Sequence, residues 1–181
     1  MATFPWQQLP GLQPPYPSAF MELRAGAAWV QVSGLFDTGA SLTTLRAPVE
    51  QPRLNLANAV CIPCGSRDAN GGFAWQKATV LKARLDGNEF DLPAVLSDGV
   101  PLNLIGRAGL SDLWAIQHDP ANGVSHFAWV GPQPGWGNVP WADRWVAYWK
   151  EMLNRKYDWP NWNLQGRPPI PDPPALPPAL P

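Results

Sequence analysis

The chain has 181 residues, enough for one domain with a genuine core plus terminal extensions and too few for two full lobes. Its 13 basic and 14 acidic residues nearly cancel, which argues against the strong positive field of a nucleic-acid or anionic-membrane binder. No stretch approaches the ~20 consecutive apolar residues of a membrane span, and residues 1–18 carry neither a basic start nor an apolar run, so the expectation is a soluble, non-secreted, cytoplasmic protein. Cys61 and Cys64 are too few for a disulfide framework and fit a reducing compartment.

Residues 1–18 form the first segment, in which Pro5, Pro10, Pro14, Pro15 and Pro17 fix φ and remove donors, so the reading is a proline-rich extended arm. From 20 to 37 the text alternates with a break at Gly26, predicting a hairpin that delivers Asp37 at a strand end. A short strand at 43–45 follows, and then a proline-punctuated stretch at 46–58 that reads as a surface connection, with a helix as the weaker alternative. CGSRDANGG at 64–72 reads as a loop, FAWQKATVLKARL at 73–85 as a strand exposed on one side, and Asp86-Gly87 as the hairpin turn into a returning strand. PLNLIG at 101–106 is an apolar run short enough for a buried strand, and RAGLSDLW after it predicts one short helix. A hairpin is expected from WAIQHD at 114–119 and SHFAWV at 125–130. Residues 140–156 place Trp141, Trp145, Tyr148, Trp149, Met152 and Leu153 at helical spacing, and 161–181 should be an unpacked, polyproline-like tail. The domain boundaries expected are therefore an arm at 1–18, a β domain at 19–131, a Trp-rich helical extension at 132–160 and a proline-rich tail at 161–181.

The chemistry sits in GLFDTGASLTTL at 34–45, where an apolar strand runs straight into Asp37-Thr38-Gly39. Small residues at a tight turn let another backbone approach a carboxylate closely. An isolated Asp-Thr-Gly is a weak signal, strengthened here by LNLIGRAGL at 102–110, two bulky apolar residues leading into Gly106-Arg107. Together the strings resemble the retroviral aspartic protease family, and the closing part at 112–130 is more similar to its bacterial members than to its viral ones.

That resemblance implies an all-β, closed, barrel-like acid protease lobe, with one short helix after the Gly-Arg motif, that dimerises across a twofold axis. The chain has no second Asp-Thr-Gly or Asp-Ser-Gly, so a catalytic pair needs Asp37 from each of two copies. Two carboxyls a few ångström apart cannot both ionise cheaply; they share a proton, one activating a water and the other polarising the scissile carbonyl. The same resemblance gives Thr38 hydrogen bonds across the twofold, makes Gly39 a substrate-facing carbonyl with Ala40 beside it, and makes Gly71, Gly72 and Phe73 a flap tip over an extended peptide. Gly106 and Arg107 become structural residues. Many viral members carry an acid that pairs with this arginine, but the matching position here is Ser41, which leaves the partner of Arg107 open.

The function expected is thus homodimeric aspartic endopeptidase activity on polypeptides, with no cofactor or metal. The rival is a catalytically inactive peptide-binding module of the same fold. A zinc or redox centre at Cys61 and Cys64 ranks far behind, because His118 and His126 are distant in sequence and no βαβ setting is present. Phe4-Pro5 and Tyr16-Pro17 resemble bonds that viral relatives cut, which suggests self-removal of the arm.

Overall fold

The computed structural model describes residues 1–8, 15–56, 62–67, 73–111 and 113–131. The expected helix at 140–156, the tail, Cys61, Gly71 and Gly72 lie outside them. In chain order the elements are β1 (Ala2–Pro5), β2 (Ser18–Ala25), β3 (Ala28–Phe36), β4 (Thr43–Arg46), α1 (Ala47–Arg53), β5 (Ile62–Arg67), β6 (Phe73–Leu85), β7 (Asn88–Ser97), β8 (Leu104–Ile105), β9 (Trp114–Asp119) and β10 (Val124–Trp129). The protein is mostly β.

A seven-stranded sheet runs β2-β3-β8-β4-β7-β6-β5, and β2 also pairs with β6 at Glu22↔Arg84 and Leu23↔Ala83. That extra pairing links the first and last strands of a six-strand run. β7 is covered on both faces and reads as a continuous buried run from Leu92 to Leu96, whereas β3 alternates between buried and more open residues. Asp86 and Gly87 turn β6 into β7 with φ of 48° and 78°, the left-handed pair that a two-residue hairpin requires. The interior is filled by Met21, Leu23, Leu45, Leu54, Leu92, Ile105 and Leu110, each nearly or fully inaccessible.

The second sheet, β1-β10-β9, packs its aromatics onto the first. Phe127 is fully buried, with Phe4 and Phe36 edge-on at 5.3 and 6.1 Å, and Phe36 is the residue immediately before Asp37. The first residues of the arm are therefore not loose: Ala2–Pro5 is an edge strand on β10, and Trp6 Nε1 donates to the buried Ser125 Oγ at 2.9 Å. An edge tolerates Pro5, because a strand end need not donate to a ladder on both sides.

Three expectations need correction. The segment after Gly106-Arg107 is not a helix but a chain of turns through Ser111, because Gly109 takes φ +79°, a left-handed conformation that cannot propagate an α-helix. The supposed surface connection contains the one helix among the described residues, α1. Pro48 sits in its first turn, where its missing N–H is no loss, with Glu50 near the N-terminus and Arg53 at the C-terminus. The glycine-bearing stretch read as a loop begins with a strand, β5, which finds its partner in the 13-residue β6.

Candidate active site

Asp37 stands where β3 leaves the sheet. The strand is fixed there by burial of Phe36 and by parallel pairing with β8, Leu35↔Leu104 and Phe36↔Ile105. Asp37 N donates to Ile105 O at 3.0 Å, so the last rung of the ladder is the backbone of the site residue itself. The chain then turns: Ala40 N donates to Asp37 O at 3.1 Å, and Gly39 N donates to Asp37 Oδ1 at 2.8 Å. One carboxylate oxygen is thereby held by the loop that follows it. Asp37 is half-buried, while Thr38 and Gly39 are exposed.

The far side of the loop is sewn to the Gly-Arg segment. Arg107 N donates to Ala40 O and Ala108 N to Ser41 O, both at 3.0 Å. Gly106 N approaches Thr43 Oγ1 at 3.3 Å, and a Cβ on Gly106 would run into the backbone of Leu42 and Thr43. Glycine is required there for close approach of two backbones. Arg107, whose partner the sequence left open, extends Nη2 to within 3.4 Å of Ser41 Oγ, a long contact by an exposed side chain. The two motifs that are about 65 residues apart in sequence thus form one layer of backbone.

Behind this layer lies a polar cluster that sequence reasoning missed. Asn103 and Glu50 are 7% and 3% exposed. Asn103 Nδ2 donates to Glu50 Oε1 at 2.8 Å and to Ser33 O at 3.0 Å, and Asn103 Oδ1 accepts from Arg46 N at 2.8 Å. Glu50 Oε2 accepts from Arg53 Nη1 at 2.7 Å, and Arg53 Nη2 donates to Gln31 O at 2.8 Å. A buried carboxylate is tolerable only when its oxygens are met in this way. The available signal was an asparagine inside an apolar run and a glutamate three residues before an arginine.

Of the expected flap residues, Phe73 opens β6. β5 pairs with β6 from Ile62↔Ala78 to Arg67↔Phe73, whereas β7 pairs with β6 only from Lys77 onward. Residues 73–76 and their partners in β5 therefore make a two-stranded ribbon that extends past the sheet. His118 Nδ1 and His126 Nδ1 lie at 2.8 and 2.9 Å from the hydroxyls of Ser125 and Thr3. No group of three or more potential metal-ligating side chains occurs among the described residues. A cavity of about 80 Å³ lined by Gln7, Tyr16, Ser18, Ser33 and Asn103, among others, does not include Asp37 in its wall.

Among the described residues no helix is long and apolar enough to cross a membrane. No protein-family model matches the chain, and no curated protein matches it. Among solved structures it is similar to EIAV protease complexed with the inhibitor HBY-793, at 18% identity and a TM-score of 0.41, over 55% of this chain and 88% of that one.

Proposed function

We propose that the chain is an aspartic endopeptidase of the retroviral type, acting as a homodimer in which Asp37 of each copy supplies half of the catalytic pair. The observation that carries the reading is the attachment of Asp37: a half-buried carboxylate directly after the buried Phe36 at a strand end, one oxygen fixed by Gly39 N–H, in a loop sewn by backbone bonds to Arg107 and Ala108. Such a loop holds a carboxylate in place without supplying a cation to neutralise it. A twin carboxylate across a twofold axis then leaves one proton shared between two acids.

In that arrangement the ionised member takes a proton from a water held between the pair, and the resulting hydroxide attacks the scissile carbonyl. The protonated member donates to the carbonyl oxygen as the tetrahedral intermediate forms, and returns of these protons release amine and acid. No covalent enzyme intermediate and no metal enters. Thr38, exposed beside Asp37, would bond across the axis, and Gly39 would offer its carbonyl to substrate backbone. The β5–β6 ribbon, with Phe73 at its outer end, would serve as the flap that adds backbone hydrogen bonds to an extended peptide and sheds water from the site.

Digestion of a mixed peptide library by wild type and Asp37→Asn tests this. Cleavage should vanish in the variant and with pepstatin-like inhibitors, and should fall faster than linearly on dilution. Peptide binding without cleavage by wild type would instead establish an inactive peptide-binding module.

A further inference from the structure

The strand beside Asp37 is very short. β8 has only two residues, Leu104 and Ile105, and one of its neighbours, β4, meets it through the single pair Thr44↔Leu104. A ladder of that length fixes the spacing of β3 and β4 poorly, yet the loop at 37–42 runs from one to the other. The side chain of Asn103, the residue before β8, spans this gap. It holds β3 at the Ser33 carbonyl, four residues before Asp37, and β4 at the Arg46 N–H, where the loop's outgoing strand ends. Both hydrogens of its amide nitrogen are engaged, the second by Glu50.

Glu50 in turn ties the cluster to α1 and, through Arg53, to Gln31 O, a second point on β3. The main chain of Asn103 adds a further link, since its carbonyl accepts from Leu35 N at 2.9 Å. Gly34 gives β3 the room to press in: a Cβ there would lie 2.8 Å from Asn103 O. Every segment that enters or leaves the Asp37 loop therefore touches Asn103 or its partner Glu50.

From this we infer that Asn103, held by Glu50, is a positioning residue for Asp37: it sets the separation of the strands on either side of the loop and so the place of each carboxylate in the pair. The inference rests on the protease reading above. Displacement of a reacting group by an ångström costs on the order of a hundredfold in rate. The effect should therefore appear in turnover rather than in substrate affinity.

The test uses three variants of the full chain, with active sites counted by titration with a pepstatin-like inhibitor. Asn103→Asp sets a new carboxylate against that of Glu50 and against the Ser33 carbonyl, with the Arg53 guanidinium as the nearby cation and the Arg46 N–H as the remaining donor. Turnover per titrated site should fall about tenfold to a hundredfold near neutral pH with KM little changed. It should recover as pH is lowered and a proton bridges the two acids. The double variant Glu50→Gln with Asn103→Asp restores a donor facing an acceptor at position 50 while Ser33 O still lacks its donor, so it should recover part of the lost turnover and remove the added pH dependence. Asn103→Ala should lower turnover without that pH dependence, and it carries the test if Asn103→Asp does not fold.

Unchanged turnover per titrated site in Asn103→Asp or Asn103→Ala, with only a lower melting temperature, would overturn the inference. The amide resonances of Asp37 and Gly39 provide a readout independent of catalysis. If wild type cleaves nothing, the protease reading fails on its own. Resonances that move in Asn103→Asp and return part of the way in the double variant would still support positioning, and unmoved resonances would overturn it.

Discussion

The loop at 37–41 and the ribbon formed by β5 and the start of β6 are attached to the molecule in opposite ways. The loop is small and exposed, but each end of it is bonded to another segment: Asp37 to Ile105, Ala40 to Arg107, Ser41 to Ala108. The ribbon is longer, and over residues 73–76 its strands pair only with each other. On the proposed reading this contrast is useful, since a catalytic carboxylate needs a fixed place whereas a flap over a peptide must open.

The contrast can be broken from the loop side first. Gly106→Ala drives a methyl into the Leu42 and Thr43 backbone, and the expected cost is about 3 kcal/mol or more, read as a lower urea midpoint. Substitutions in the ribbon should divide stability from turnover. Pro63 lacks an N–H and so marks the outward-facing parity of β5; by the period of two, Ser66 N–H faces β6 and Gly65 N–H does not. Ser66→Pro should therefore lower peptide turnover by about tenfold or more while changing stability by less than about 1 kcal/mol, with Gly65→Pro as the milder control.

The smallest effect belongs to a surface pair remote from both regions. Arg84 bonds Glu22 at 2.6 Å and stacks on Trp29 at 4.6 Å, and its hydrogen bond holds the Glu22 carboxyl below the usual range. A depressed acid contributes stability above its unfolded-state value and loses it as pH falls through the folded one. Glu22→Gln, which leaves the Arg84–Trp29 stack, should melt slightly below wild type at neutral pH, and the two should converge as pH falls far enough to protonate Glu22 in the folded protein. The pair is half-exposed and the difference should be small, with turnover unaltered.

Local pattern was enough to place most of the strands, though not β1 or β5: 114–119 reads in the sequence as it stands in β9, and Asp86-Gly87 makes the turn it was expected to make. The string around Asp37 and the string around Gly106 were each visible, and the structure brings them together. What stayed hidden depends on distant partners. The prolines of α1 mimic a loop until Pro48 is seen to occupy the first turn, and the end of the expected helix after Arg107 turns on the sign of one φ at Gly109. Asn103 and Glu50 look like ordinary polar residues because their meaning lies in a bond across 53 positions of chain.

The central claim is that two Asp37 side chains make one site. Wild type and Asp37→Asn should be mixed at fixed total concentration, allowed to exchange subunits, and assayed for peptide cleavage. If a pair of intact copies is needed, an equal mixture retains about a quarter of the wild-type activity, following the square of the wild-type fraction. Retention of about half, the linear result expected of an independently active monomer, would contradict the account, as would cleavage by Asp37→Asn alone.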